Sequence, residues 1–136
     1  MNYNELIQLY FERSNALQAY WTLYVVIVGG LLAFSSLRKE PAALTTAIVS
    51  VLFALFAFEN LGAIENTAAQ RFATLEAIKK TESAAPEVSR LRAPLEPTLN
   101  PASLSSTRTT HLVSDVLTIA ALWAMELRRR KSRITT

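Results

Sequence analysis

Three stretches of this chain are almost free of charge and long: Ala19 to Leu37, Ala42 to Phe58 and Leu112 to Leu127. A helix that crosses a bilayer needs about 20 mainly apolar residues, with a working range of about 17 to 25. The first two stretches meet that length directly. The third meets it by taking in Thr109 to His111, or by letting its flanking arginines reach outward to water. A soluble three-helix bundle would show a polar face every few residues. YVVIVGGLLAF and AIVSVLFALFAF show none. The fold class expected is therefore an all-α integral membrane protein with three transmembrane helices.

Helical spacing continues beyond two of these stretches. Leu6, Leu9, Tyr10, Arg13 and Leu17 recur three and four apart ahead of the first. Leu61, Ile64, Ala68, Phe72, Leu75 and Ile78 do so behind the second. We expect helix 1 over 3–37 with its span about 18–37, and helix 2 over 42–82 with its span about 42–61. A tight RKEP turn joins them into a long antiparallel hairpin that extends beyond the membrane. Equal rise along both helices places Arg13 near Glu65. It also sets Gly29 and Gly30 opposite Ser50 and Val49. Together with Ala33, these small residues are the expected helix-packing surface. Residues 84–110, rich in Pro, Ser and Thr, read as an extended external linker. Helix 3 is expected over 111–128 and a basic tail over 129–136. The whole chain is a single membrane domain.

Basic residues gather in two short patches, Arg38 with Lys39, and Arg128, Arg129, Arg130, Lys131 with Arg133; these are half of the 14 Lys and Arg residues. The positive-inside rule sets both in the cytoplasm, so the N-terminus is outside and the C-terminus inside. The same patches suit anionic lipid headgroups. The start of the chain lacks the basic region of a signal peptide, and the first apolar stretch is expected to stay as an anchor. In general plan the chain resembles small bacterial multi-pass membrane proteins, and the expected location is the bacterial inner (cell) membrane.

Few residues carry chemistry. There is no cysteine, which excludes disulfides, thiolate catalysis and cysteine-held metals. No nucleophile–histidine motif, phosphate loop or paired-acid signature occurs, so no enzyme, cofactor or metal is expected. Nucleic acid is not an expected partner, because the basic tail has no folded reader. Glu59 counts to the outer boundary beside Tyr20, and reads as the mark where helix 2 leaves the membrane. Asp115 counts deeper, one turn from His111 and beside Ser114, with Thr118 on its face. Two readings of Asp115 stand. One is a deep carboxylate that faces protein; the other is an acid near the N-terminus of a short, shifted helix, where the dipole favours it. The expected function is that of a small multi-pass protein acting through helix–helix contacts, as a homo-oligomer or as an accessory subunit beside another membrane protein. The alternative is an oligomeric ion channel or small transporter lined by Asp115, Ser114 and Thr118.

Overall fold

A computed structural model describes residues 1–81 and 86–134. Every element is helical: α1 (Tyr3–Leu37), α2 (Ala43–Lys80), α3 (Pro86–Leu95), a 3-10 turn (Glu96–Thr98) and α4 (Leu104–Ile134). Three of them, α1, α2 and α4, are long and apolar enough to cross a membrane. The expected end of helix 2 at Glu82, the first two linker residues and the last two tail residues lie outside the described residues.

α1 starts where Asn2 and Glu5 form a reciprocal cap. The Asn2 side chain accepts from the Glu5 N–H at 2.9 Å, and the Glu5 carboxylate accepts from the Asn2 N–H at 2.8 Å. It stops at Leu37, where Arg38 turns to φ −69°, ψ 131°, and Pro41 then disfavours helical backbone at Glu40 before α2 begins. The contact partners on α2 fall in number as those on α1 rise. Tyr3, Leu6 and Tyr10 cluster with Leu75 and Ile78, Leu17 with Ile64 and Ala68, and Tyr24 with Phe53 and Ala57.

The seam follows a seven-residue repeat. Tyr3, Tyr10, Leu17 and Tyr24 are buried one heptad apart on α1. On α2 the buried residues Thr46, Phe53, Asn60, Thr67 and Thr74 keep the same step, as do Ser50, Ala57 and Ile64. This seam is built the opposite way from a soluble coiled coil. Its α2 side between Thr46 and Thr67 holds mostly small or polar residues, while Leu44, Ile48, Val51, Leu52, Leu55 and Phe58 point outward and are exposed.

Two expectations are corrected at this level. Gly29 and Gly30 do not face α2: both are exposed, and a Cβ built on either meets nothing within 4 Å. Ala33 is exposed beside them, and only Ser50 of the expected packing set is buried, donating to the Thr46 carbonyl at 2.8 Å. The reason is steric. Tyr24, Ile27, Val28 and Leu31 occupy the seam at that height, against Phe53, Phe56, Ala57 and Ile119, and set the spacing. Likewise Arg13 does not meet Glu65, which pairs with Arg108 of α4.

The expected extended linker is a further correction, since it holds α3 and the 3-10 turn. α3 opens on Pro86, where a missing N–H costs nothing. Arg92 then ties it to the end of α2. Its guanidinium donates to the carbonyls of Thr81 (2.6 Å), Ile78 (3.3 Å) and Lys79 (3.4 Å), pairs with Glu96 at 2.6 Å, and lies 5.3 Å from the Tyr3 ring centre. A cation on the last free carbonyls of a helix satisfies them and complements the dipole. Leu99 fills the cluster of Tyr3, Leu6 and Tyr10. α4 begins at Leu104, before the expected 111, because the Ser103 hydroxyl accepts the Ser106 N–H at 3.2 Å as an N-cap. It runs to Ile134, past the expected 128.

Replacing Arg92 with Gln should remove this cap and loosen the end of α2 by about 1–2 kcal/mol. Hydrogen exchange should quicken at Lys80 and Thr81 and leave Phe53 to Ile64 unchanged. Unaltered exchange at that end would show that Leu99 alone holds the segment.

Candidate functional site

Polar side chains are drawn into the bundle of α1, α2 and α4 at two levels. The first joins the residues expected around Asp115. The Tyr24 hydroxyl of α1 donates to Asp115 Oδ1 at 2.7 Å. His111 Nδ1 lies 2.9 Å from Asp115 Oδ2, and His111 Nε2 lies 3.1 Å from Oδ1 of Asn60 on α2. The Asn60 amide donates to the Tyr20 carbonyl at 3.3 Å. His111 is wholly enclosed, with the Tyr24 ring 4.3 Å and the Trp21 ring 5.6 Å from its own centre.

Proton positions follow from these contacts. The Asn60 amide group faces the Tyr20 carbonyl, so its oxygen faces His111, and Nε2 must carry a proton. The Nδ1–Asp115 contact then holds one proton, on either atom. The pair is neutral as a unit in both cases, which is the arrangement that minimises the cost of burying two ionisable groups.

The structure separates the two acids of the sequence reading. Asp115 faces α1 and His111, and α4 begins about three turns earlier, so the helix-terminus reading of Asp115 is set aside. Thr118 is buried and donates to the Ser114 carbonyl at 2.7 Å, which keeps its hydroxyl inside its own helix. Glu59 is exposed and makes no hydrogen bond or ion pair among the described residues. Its neighbour Asn60 turns inward to Tyr20 in its place. Asn60 and Tyr24 were missed by the sequence reading. The seven-residue recurrence of polar or small residues within α2 is the signal that points to Asn60.

The second level centres on Glu126, also missed, which has no exposed surface. Its carboxylate accepts from the Ala42 N–H (3.2 Å), the Thr46 hydroxyl (3.3 Å), Arg129 Nη2 (3.3 Å) and Arg130 Nε (3.1 Å), and pairs with Arg38 at 3.7 Å. Ala42 caps α2 without help from its own side chain, so Glu126 supplies the cap from another helix. Arg129 also donates to the Ser35 carbonyl of α1 at 2.7 Å. Arg133 pairs with Glu40. Of the basic residues expected to set topology, Arg38, Arg129 and Arg130 are thus structural partners, and Lys39 and Arg128 are exposed.

Outside the apolar segments, Arg108 of α4 binds Glu65 of α2, and its hydrogen bond holds the Glu65 carboxyl below the usual carboxylate range. Among the described residues no group of three His, Asp or Glu side chains is placed to hold a metal ion. Chemically, the first level holds a shared proton between His111 and Asp115, and the second ties the ends of α1 and α2 to α4.

No family model matches the chain, no curated protein is similar to it, and no solved structure matches it.

Glu126→Gln should destabilise the bundle by about 3 kcal/mol, because it leaves buried guanidinium groups without a counter-charge. Glu40→Gln, at an exposed pair, should cost less than about 1 kcal/mol. Thermal unfolding in a neutral detergent measures both, and equal effects would show that Glu126 does not organise the inner end. A pH effect follows from Glu65. Its folded pKa is lowered, so its contribution is full above the unfolded value of about 4.3 and is lost as pH falls through the folded value. The difference in unfolding temperature between the wild type and Glu65→Gln should therefore shrink below about pH 4. A constant difference down to pH 3 would exclude the pair as its source.

Proposed function

We propose that the chain is an integral membrane protein whose α1, α2 and α4 cross the bilayer, and that it acts by helix–helix contact as a structural or accessory subunit. The single observation that carries this is the inverted seam. Asn60, Thr46, Ser50, His111 and Glu126 are buried within the bundle, while Val25, Val26, Leu52, Leu55, Val116 and Leu117 are 60–67% exposed. Water would penalise so large a continuous apolar exterior, and lipid does not. α1 and α2 form the antiparallel hairpin, and their outer ends carry α3 and the 3-10 turn beyond the bilayer. Both basic patches lie at one end of the bundle, around Glu126 and Glu40, which supports a cytoplasmic C-terminus and an outer N-terminus under the positive-inside rule.

The reading as a subunit rests on where the polar groups are spent. Asp115 gives both oxygens to partners inside the chain. A cavity lined by Phe34, Ser35, Thr46, Val49 and Leu122 measures about 10 Å³, room for one water at most. The outward Gly29, Gly30 and Ala33 leave space for a further helix to approach, from a second copy or from another membrane protein. The chain has no cysteine, so single cysteines introduced at Asn4 and Ser132 report sidedness cleanly. In sealed vesicles of cells, a membrane-impermeant reagent should label the first from outside and the second only after lysis. Native mass spectrometry in detergent should show a species larger than one chain. A strict monomer without a co-purifying protein would sink the subunit reading and leave insertion untouched.

A second reading, an oligomeric channel or transporter, draws on the enclosed His111–Asp115 pair, since ionisable residues within spans often mark ion or proton paths. Liposomes containing the oligomer should then pass protons or cations, and Asp115→Asn should abolish the flux. Wild-type liposomes as tight as empty ones would remove this reading.

A further inference from the structure

The inner end of the bundle holds more positive charge than the Glu126 clamp uses. Arg38, Lys39, Arg128, Arg129, Arg130, Lys131 and Arg133 gather there, and among the described residues the carboxylates paired with them are Glu40 and Glu126. Three of these cations bind Glu126 and Arg133 binds Glu40, whereas Lys39 and Arg128 are exposed and make no ion pair among the described residues. Both line a cleft of about 420 Å³ between the last turn of α1 and the end of α4, shared with Arg129, Arg133, Ser36 and Ser132. That volume falls within the range of about 300–1,000 Å³ typical of small-molecule sites. Arg129 is committed through its terminal nitrogens, but its Nε is buried without a hydrogen-bond partner.

We propose that this cleft binds the phosphate of an anionic phospholipid headgroup from the cytoplasmic leaflet. The chemistry is that of guanidinium and ammonium donors converging on a phosphate. Its placement suits a lipid, because the cleft opens where the apolar surfaces end. Leu37 and Leu127 are 79% and 59% exposed beside it and offer a track for the acyl chains. The Glu126 carboxylate and the Ser35 carbonyl hold Arg129 in place on one wall, and Arg133 pairs with Glu40 beside it. The proposal rests on the membrane reading above.

The test uses full-length protein in vesicles with equal mole fractions of phosphatidylglycerol and phosphatidylcholine, followed by native mass spectrometry of retained lipid. Phosphatidylglycerol should be retained preferentially, and the double variant Lys39→Gln/Arg128→Gln should lower its retention by about tenfold. The charge-matched comparison is between single variants: Arg128→Gln removes one positive charge within the cleft and should lower retention, whereas Lys131→Gln removes one outside it and should keep retention. Equal retention of the two lipids would overturn the proposal, as would an equal loss in Lys131→Gln, which signals diffuse charge. Inorganic phosphate is titrated in a second arm. Complete displacement of the lipid at low millimolar phosphate would overturn the lipid assignment in favour of a soluble phosphate. The cysteine-sidedness measurement is run on the same vesicles, and failure to insert there would overturn the membrane reading and this site with it.

Discussion

Glu126 is the interaction on which the rest of the bundle depends. A carboxylate with no exposed surface is expensive to bury, and it persists here because four hydrogen-bond donors and a third guanidinium, drawn from three segments, converge on it. The convergence is what closes the structure. Ala42 and Thr46 bring the start of α2, Arg38 brings the end of α1, and Arg129 and Arg130 belong to α4 itself. Arg129 then returns to the Ser35 carbonyl, so the free end of α1 is satisfied by the same group of charges.

At the opposite level the Asn60–His111–Asp115–Tyr24 chain links the same three helices through neutral or jointly neutral hydrogen bonds. Between the two levels lie the Phe53, Ala57 and Leu122 contacts, which are ordinary close packing. For helices that cross a bilayer, as proposed here, apolar side chains gain nothing from meeting each other in preference to acyl chains. Directional polar contacts at two depths are then what fix the rotation of each helix about its axis. A proton-sharing pair and a charge clamp do this in different ways: one is neutral as a unit, and the other neutralises the helix ends.

α2 shows the same logic outside the apolar region. Its first turn is capped by Glu126 from α4 and its last by Arg92 from α3, both supplied by other parts of the chain. The acid is at the positive end of the dipole and the guanidinium at the negative end. A helix of 38 residues whose two termini are held in this way serves as the frame to which α1, α3 and α4 attach. The structural role proposed for the protein follows from that stiffness and from the exposed apolar side chains along its three long helices.

Length, hydropathy and charge along the chain determined that three helices are long and apolar enough to span a bilayer, where α1 begins and ends, and that basic residues mark one end. These are local properties, set by consecutive residues, caps and proline. The approximate heights of His111 and Asp115 were legible for the same reason, since rise per residue is constant. Rotation about the helix axis was not. Within the stretches 19–37 and 42–58 nearly every residue is apolar, so hydropathy has no direction there, and nothing in it tells that Tyr24 and Leu31, not Gly29 and Gly30, occupy the seam. Only tertiary structure decided that Asn60 faces inward while Glu59 faces out, that Glu126 and not lipid receives Arg38 and Arg129, and that a proline-rich segment docks through Arg92 and Leu99. Each of these is a contact between residues far apart in the chain, and its energy comes from satisfying a polar group whose partner no local pattern announces.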